Sequence, residues 1–326
     1  MIKYSFIVPV KAINDYIRES IPKILEIKRE DYEIIIYPDE IDQNFSALYT
    51  KQIATTHVGP AVKRSRAISE ASGDILVFID DDAYPTPNFL DILDSDFKDE
   101  KIKAVGGPAL TPANDSFWQK VSGAVFLSPL SGGCPERYIP LGRKRMVTDW
   151  PSVNFSIRKE TFAELKGFDS EFWPGEDTKL CLDLIKKYPA SILYDPELIA
   201  YHHRRAGLKK HLKQISGYGL HRGFFAKKYP ETSFKLKYFI PSAFLIFVVL
   251  GAALSFYNRV ILDLYLIGWL LYLLALIKAL LDISKHEKNI LVALNAIYYI
   301  FLTHLFYGAN FLKGFIFTKN LKSKLR

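Results

Sequence analysis

Three consecutive carboxylates, Asp80, Asp81 and Asp82, follow directly on an unbroken apolar run at residues 75–79. Such a run of β-branched and aromatic residues is typical of a strand buried on both faces. Adjacent acids repel one another unless a cation or hydrogen-bond donors compensate them. If the chain stays extended, Asp80 and Asp82 point one way and Asp81 the other. The pattern predicts a divalent cation that carries phosphate oxygens, with a solvated acidic turn or a chance calcium site as the alternative.

A second acidic site lies at Glu176 and Asp177, after Gly175. Apolar residues at helical spacing follow it, and Lys186 and Lys187 close the segment, so a helix is expected. Asp177 then sits at the N-terminal end, where exposed N–H groups and the helix dipole favour a charged carboxylate. On these residues alone Asp177 is either a helix cap or a reactive carboxylate.

The motifs around both sites resemble those of the inverting family 2 glycosyltransferases with the GT-A fold. A Gly-Pro-x-x-x-Arg segment at residues 59–64 precedes a Gly-Asp turn at residues 73–74, the apolar strand, the Asp triplet and the Gly-Glu-Asp segment. The resemblance extends over about residues 1–220. It implies an α/β domain with a Rossmann-like, mostly parallel mixed sheet, followed here by an α-helical membrane domain.

The resemblance implies a nucleotide-sugar site at the carboxyl ends of the strands, where α/β sheets bind ligands. Asp39 holds the base, since a carboxylate can accept a hydrogen bond from a uracil or guanine N–H; an ordinary turn aspartate is the alternative, and the base stays open. The residues implied for donor binding are Pro9, Asp39, Arg64, Asp80, Asp81 and Asp82.

The resemblance also implies a metal shell and a catalytic base. Asp80 and Asp82 bind Mg²⁺ or Mn²⁺, and His202 completes the shell in preference to His203, although a surface basic cluster is the alternative. Asp177 matches the general base, which takes the proton of the acceptor hydroxyl.

For the acceptor, Asn154 and Glu176 match positions that face the sugar or acceptor. Residues 207–230 combine apolar residues at helical spacing with basic and aromatic ones, as in a helix that lies in a membrane interface with anionic headgroups. A loose likeness to the Gln-x-x-Arg-Trp motif of processive polymerases lacks its Arg, which disfavours long-chain synthesis. The candidate acceptor residues in this zone are Lys209, Lys210, Gln214, Tyr218 and Arg222.

The last third of the chain predicts membrane segments. Residues 238–256 and 260–281 are each long enough to span hydrocarbon and form a hairpin. Lysines flank the hairpin on both sides, which puts both flanks and the catalytic domain in the cytoplasm. A third apolar stretch, residues 290–317, is either a span or a re-entrant or interfacial element. A span would export the basic tail formed by Lys319, Lys322, Lys324 and Arg326.

Composition excludes several other classes. The 326-residue chain has a net charge of +8, which suits anionic lipid or phosphorylated substrates, but no nucleic-acid-binding signature accompanies it. There is no dinucleotide fingerprint and no phosphate-binding P-loop. Cys134 and Cys181 make no disulfide framework, and residues 108–150 are expected to form a loop of the kind that covers binding sites.

Together these features predict a membrane-bound inverting glycosyltransferase that divides into residues 1–206 (catalytic), 207–236 (juxtamembrane) and 237–326 (membrane). The expected partners are a nucleotide-diphosphate sugar, a lipid-linked (polyprenyl phosphate or diphosphate) or glycan acceptor, and membrane lipids. The alternatives are an anchored polysaccharide-extending glycosyltransferase, a metal-dependent nucleotidyl- or phosphotransferase, and a transport or scaffold protein with a degenerate domain.

Overall fold

The computed structural model describes residues 1–169, 172 and 174–321, and these divide into two compact units. The first comprises Met1–Pro112 and Ile139–His203, and the second Ala113–Tyr138 and Arg204–Leu321. The strands are β1 (Tyr4–Pro9), β2 (Tyr32–Tyr37), β3 (Thr50–Gln52), β4 (Ile75–Ile79), β5 (Ala83–Pro85), β6 (Ala104–Gly106), β7 (Ala109–Leu110), β8 (Arg145–Val147), β9 (Asn154–Arg158), β10 (Ile192–Tyr194) and β11 (Ala200–His202).

Helices occur in both units. Those of the first unit are α1 (Asp15–Ile24), α2 (Pro60–Ser65), α3 (Ala67–Glu70), α4 (Phe89–Asp96), α6 (Lys159–Glu164) and α7 (Glu176–Lys187). Those of the second are α5 (Phe117–Ala124), α8 (Leu208–Lys228), α9 (Pro230–Ser233), α10 (Leu236–Ile246), α11 (Ala252–Leu254), α12 (Arg259–Ser284) and α13 (Ile290–Leu312). Short π-helical turns extend α10 at Phe247–Gly251 and α13 at Lys313–Phe317.

The first unit is built on a mixed sheet in the order β3-β2-β1-β4-β9-β6-β10-β8. Strands β1, β2 and β4 run parallel, so their carboxyl ends meet at one edge of the sheet. Every residue of β1 and β4 is buried, as their continuous apolar sequences predict. One apolar core lies on each face of the sheet. A small second sheet, β5-β11-β7, stands at the end of β4.

The second unit packs helices through glycines. A Cβ added at Gly223 of α8 would lie 2.1 Å from the carbonyl oxygen of Phe311, and one at Gly219 would lie 2.6 Å from that of Tyr307. Gly314, beyond α13, approaches the carbonyl oxygen of Leu220 in the same way. Because only glycine permits such contact, α8 and α13 lie backbone against backbone, the arrangement that small residues allow between helices.

Three helical segments of the second unit are long and apolar enough to cross a membrane: Leu236–Leu254, Arg259–Ser284 and Ile290–Phe317. Asn258 caps α12 by accepting a hydrogen bond from the N–H of Ile261, and so begins the second segment of the hairpin. The third stretch forms one continuous helical segment of 28 residues. Of the predicted basic tail, Lys322, Lys324 and Arg326 lie outside the described residues.

Two sequence predictions about organisation differ from the structure. Residues 113–138, expected within a loop of the catalytic domain, contain α5 and three short 3₁₀ turns and belong to the second unit. Val121 and Val125 pack there with Ala293, in an apolar core that local composition does not reveal. Residues 207–236, expected as a separate segment, are also part of the second unit.

Candidate active site

The Asp triplet lies in a turn, not in an extended strand. Strand β4 ends at Ile79, and the N–H of Ala83 donates to the carbonyl oxygen of Asp80 at 3.1 Å. The chain is therefore not extended at the triplet, because this turn ends the pleat. Asp80 and Asp82 nevertheless offer carboxylate oxygens to one space, while Asp81 accepts a hydrogen bond from Asn14 Nδ2 at 2.7 Å.

His202 reaches the triplet through strand pairing. In the antiparallel pair β5–β11, His202 lies opposite Ala83, and the N–H of His203 donates to the carbonyl oxygen of Asp82 at 2.9 Å. His202 Nε2 lies 3.2 Å from Asp82 Oδ1. One ligand atom from each of Asp80, Asp82 and His202 lies within 4.8 Å of the others. Two carboxylates and an imidazole on one space can hold a divalent cation and leave room for phosphate oxygens.

The neighbouring His203 has different surroundings. Its ring packs at a tilt against that of Tyr16, with centroids 5.0 Å apart, and its Nε2 lies 3.3 Å from Glu19 Oε2. His203 is buried among these groups of α1, so the structure places the first histidine of the pair, and not the second, with the acids.

Arg64 connects the two acidic motifs. Its guanidinium, buried at 4% side-chain exposure, donates to Asp80 and, at 3.2 Å, to Glu176 Oε1. Burial, with the adjacent Asp177 carboxylate, raises the pKa of Glu176, and the Arg64 charge opposes that rise. Arg64 thus neutralises acids from two motifs and joins them into one charged cluster. The predicted donor-binding role of Arg64 and the predicted sugar- or acceptor-facing role of Glu176 stay predictions.

Asp177 lies inside the first turn of α7. Gly175, at φ +122°, is the N-cap residue, and Glu176 is the first helical residue. The Asp177 carboxylate accepts from the N–H of Thr178 at 2.7 Å. It therefore does not occupy the cap position that the sequence offered as an alternative, and its predicted role as a base stays a prediction.

Asp39 follows β2, beside the end of β1 at Pro9. Lys63 Nζ donates to Asp39 Oδ1 at 2.5 Å, and His57 Nδ1 lies 2.6 Å from Asp39 Oδ2. Burial favours the neutral acid, but the Lys63 hydrogen bond and charge, aided by His57, outweigh it and lower the pKa of Asp39. The carboxylate is ionised and can act only as an acceptor.

The structure corrects the prediction for Asn154. This residue begins β9 at 0% exposure, and its Nδ2 donates to the carbonyl oxygens of Leu198 at 2.7 Å and Pro108 at 3.0 Å. A sugar cannot reach a fully buried amide, so Asn154 holds two loops to the central sheet. A short polar residue in a buried strand gave no signal for distinguishing these roles.

The candidate acceptor residues all lie on α8, in the second unit. Lys209, Lys210 and Tyr218 are exposed, and Gln214 is half-buried. The Arg222 guanidinium lies 5.1 Å from the centroid of the Tyr238 ring, and its Nη1 donates to Ser233 Oγ at 3.3 Å. 

Sequence reasoning missed Lys63 and His57. Lys63 stands next to the recognised Arg64, on a helix whose basic residues could equally have faced solvent. His57 lies in a loop without a motif. The only sequence signal is a lysine that directly precedes the motif arginine, and it does not show which acid the lysine meets.

Comparison with known proteins identifies this architecture. Residues 5–165 match the family model "Glycosyl transferase family 2". The mannosyltransferase PcManGT from Pyrobaculum calidifontis, solved with GDP-Man and Mn²⁺, superposes with a TM-score of 0.65 at 14% identity, over 96% of this chain and 87% of that one. Residues 5–165 form a family 2 glycosyltransferase domain, and the first unit has the GT-A fold. The fold class and family predicted from the sequence are confirmed.

Two curated proteins are similar in sequence to this chain. A dolichyl N-acetyl-alpha-D-glucosaminyl phosphate 3-beta-D-2,3-diacetamido-2,3-dideoxy-beta-D-glucuronosyltransferase of Methanococcus voltae is 24% identical over 94% of this chain and 92% of its own length. A pre-mycofactocin glycosyltransferase of Mycobacterium tuberculosis (strain CDC 1551 / Oshkosh) is 25% identical over 53% of this chain and 36% of its own length. The first alignment spans both units of this chain, and the second covers about half of the chain.

Proposed function

We propose that this glycosyltransferase is membrane-bound, metal-dependent and inverting, and that it transfers a sugar from a nucleoside-diphosphate sugar to a lipid-linked phosphate or diphosphate acceptor. The observation that carries the proposal is the union, in one chain, of the Asp80–Asp82–His202 cluster with three helices long enough to cross a membrane. The relative from Methanococcus voltae, named for a dolichyl phosphate-linked acceptor, aligns across both parts.

The proposed chemistry assigns each part of the acidic cluster a task. Asp80, Asp82 and His202 would hold Mg²⁺ or Mn²⁺, which supplies positive charge to the departing diphosphate. Asp177 takes the proton of the acceptor hydroxyl, whose oxygen attacks the anomeric carbon on the face opposite the leaving group. The new glycosidic bond forms as the bond to the diphosphate breaks, which inverts the anomeric centre. Arg64, paired with Asp80 and Glu176, keeps the two motifs in register.

The acceptor is proposed from the second unit. Lys209 and Lys210 expose two ammonium groups at the start of α8, and Arg222 lies on the same helix beside Tyr238. Cations next to apolar helices attract anionic headgroups, and aromatic rings settle at headgroup depth. These residues fit the phosphate of a lipid carrier better than a neutral soluble glycan.

The test is transfer of radiolabelled sugar by the full chain in liposomes, with polyprenyl phosphate, polyprenyl diphosphate-sugar and free oligosaccharide as competing acceptors. We expect the label in the lipid extract, its loss with a chelator, and its restoration by Mn²⁺ or Mg²⁺. The variant Asp82→Ala removes one of the proposed metal ligands. It should abolish metal-dependent donor binding while the domain stays folded. Label found only in the water-soluble oligosaccharide would refute the lipid acceptor and favour an anchored polysaccharide-extending enzyme.

We also propose that the catalytic unit faces the cytoplasm. Lys235 and Lys237 precede the helical hairpin, and Lys285 and Lys288 follow it, a distribution that retains both flanks inside. The test uses Asn258→Cys and Lys288→Cys, each as the single cysteine in a Cys134→Ser, Cys181→Ala background. A membrane-impermeant thiol reagent is applied to intact cells. Only the Asn258→Cys variant should react, and labelling of Lys288→Cys instead would show the opposite orientation.

A further inference from the structure

Two side chains, Lys63 and His57, contact the Asp39 carboxylate, and the sequence motifs assign neither of them a role. We infer that Lys63 and His57 orient the Asp39 carboxylate so that the pocket selects uracil over guanine, with Lys63 acting as a positioning residue. The inference rests on the proposed function, because it names the donor of that same site as a uridine diphosphate sugar.

Lys63 contacts the Asp39 carboxylate from the buried side. Its side chain is 4% exposed, and its Nζ donates to the carbonyl oxygens of Val10 at 2.6 Å and Tyr37 at 3.2 Å as well as to Asp39 Oδ1. These carbonyls lie at the ends of β1 and β2. All three ammonium donors are thereby used, and Oδ1 of Asp39 is turned towards the protein interior.

His57 defines the outer side. Its side chain is 81% exposed, yet its position is set by the backbone, because the N–H of Thr55 donates to the carbonyl oxygen of Pro38 at 2.9 Å and that of Thr56 to Asp39 at 3.0 Å. Thr56 takes φ +61°, an uncommon conformation for a β-branched residue. This strained turn brings His57 Nδ1 against Asp39 Oδ2, so Oδ2 is the oxygen on the exposed side.

The two bases differ in what they present to such a carboxylate. Guanine offers two adjacent donors, N1–H and the amino group, which require both oxygens of a carboxylate. Uracil offers one donor, N3–H, between two carbonyl oxygens. The ionised Asp39 keeps Oδ1 on the buried lysine and has Oδ2 on the exposed side, beside His57. Since a carboxylate oxygen has two lone pairs, Oδ2 can accept one further hydrogen bond beside His57, which matches the single donor of uracil. Guanine would leave one donor unpaired on binding, which is costly in a desolvated site.

The experiment measures nucleotide binding to the full chain by calorimetry in detergent with Mn²⁺, using UDP, GDP and 3-methyl-UDP, which lacks the N3–H. We expect UDP to bind at least about tenfold more tightly than either competitor, the scale of one hydrogen bond to a charged group. Lys63→Met should reduce the preference for UDP over 3-methyl-UDP to less than about threefold. His57→Ala, at an exposed position, should weaken UDP binding about two- to fivefold while GDP binding stays unchanged.

Retained discrimination by folded Lys63→Met would overturn the positioning role, since a purely structural lysine would change stability and not the ratio between nucleotides. If that variant does not fold, binding of UDP, GDP and 3-methyl-UDP to the wild-type chain and to His57→Ala tests uracil selection. Equal or tighter binding of GDP, or equal binding of 3-methyl-UDP, would overturn uracil selection while the proposed function stands. Failure of every nucleoside diphosphate to bind in the presence of metal would instead refute the proposed function itself.

Discussion

A buried polar cluster in the first unit and one in the second are built in different ways. In the first unit, buried charges face opposite charges: Arg64 meets Asp80 and Glu176, and Lys63 meets Asp39. In the second unit, fully buried His211 forms hydrogen bonds with two hydroxyls, Ser122 Oγ at 2.7 Å and Thr303 Oγ1 at 3.0 Å. Burial lowers the pKa of His211 to about 4, so this histidine is neutral at pH 7.

This difference indicates that the first cluster serves a reaction and the second serves helix packing. Burying paired charges gives little net stability, because desolvation offsets much of the attraction. Retaining such pairs at the ends of β1, β2 and β4 is therefore explained better by a reaction that uses charge than by stability. A neutral hydrogen-bonded histidine joins α5, α8 and α13 without burying a charge, which suits a unit whose task is helix packing.

The largest effect is expected for the proposed base. Asp177→Asn keeps the shape of the side chain but removes its proton-accepting charge, so transfer should fall by about a hundredfold or more while donor affinity is retained. Radiolabelled transfer and calorimetry with the donor nucleotide measure the two quantities separately. If turnover survives, Asp177 is only a helix-terminal carboxylate.

Breaking the charged cluster tests the first half of the comparison. Arg64→Met leaves buried Glu176 and half-buried Asp80 without their hydrogen-bond donor, which should cost about 1–3 kcal/mol of unfolding free energy. The triple variant Arg64→Met, Asp80→Asn, Glu176→Gln should recover much of that stability, yet remain inactive. Thermal unfolding in detergent checks both. A stable and active Arg64→Met enzyme would show that the cluster has neither role.

Glycine packing tests the second half. Gly223→Ala places a methyl group 2.1 Å from the carbonyl oxygen of Phe311, and such overpacking should cost about 1–3 kcal/mol. Gly217→Ala is the matched control on the same helix, because nothing lies within 4 Å of its added Cβ. It should be neutral or slightly stabilising, as alanine favours helix. Equal melting temperatures for the two variants would contradict close packing of α8 on α13.

The smallest effect concerns His211. The pKa of His211 is about 4 in the folded protein, against 6.5 for an exposed histidine. Between pH 4 and pH 6.5 the unfolded chain therefore binds more protons than the folded one. Stability should therefore fall as pH is lowered through this window, by about 1–2 kcal/mol between pH 7 and pH 5. His211→Gln does not titrate and should remove that part of the pH dependence. Parallel unfolding curves for both proteins at pH 5, 6 and 7 would contradict a buried neutral imidazole.

Local sequence was sufficient for elements whose signal is contiguous. The apolar run before the Asp triplet predicted β4, the segment after Gly175 predicted α7, and the long apolar stretches predicted the three segments able to span a membrane. In each case the burial pattern or the cap lies within a few residues of the element itself. Such signals survive without knowledge of the partner surface.

Tertiary structure decided every contact between distant residues. Pairing of β5 with β11 brings His202 to Asp82, and folding of α2 against the strand ends carries Lys63 to Asp39 and Arg64 to Glu176. These contacts depend on strand register and on which helix face is buried, and packing across the whole sheet sets both. For the same reason the burial of Asn154 and the place of residues 113–138 in the second unit could not be predicted from nearby residues.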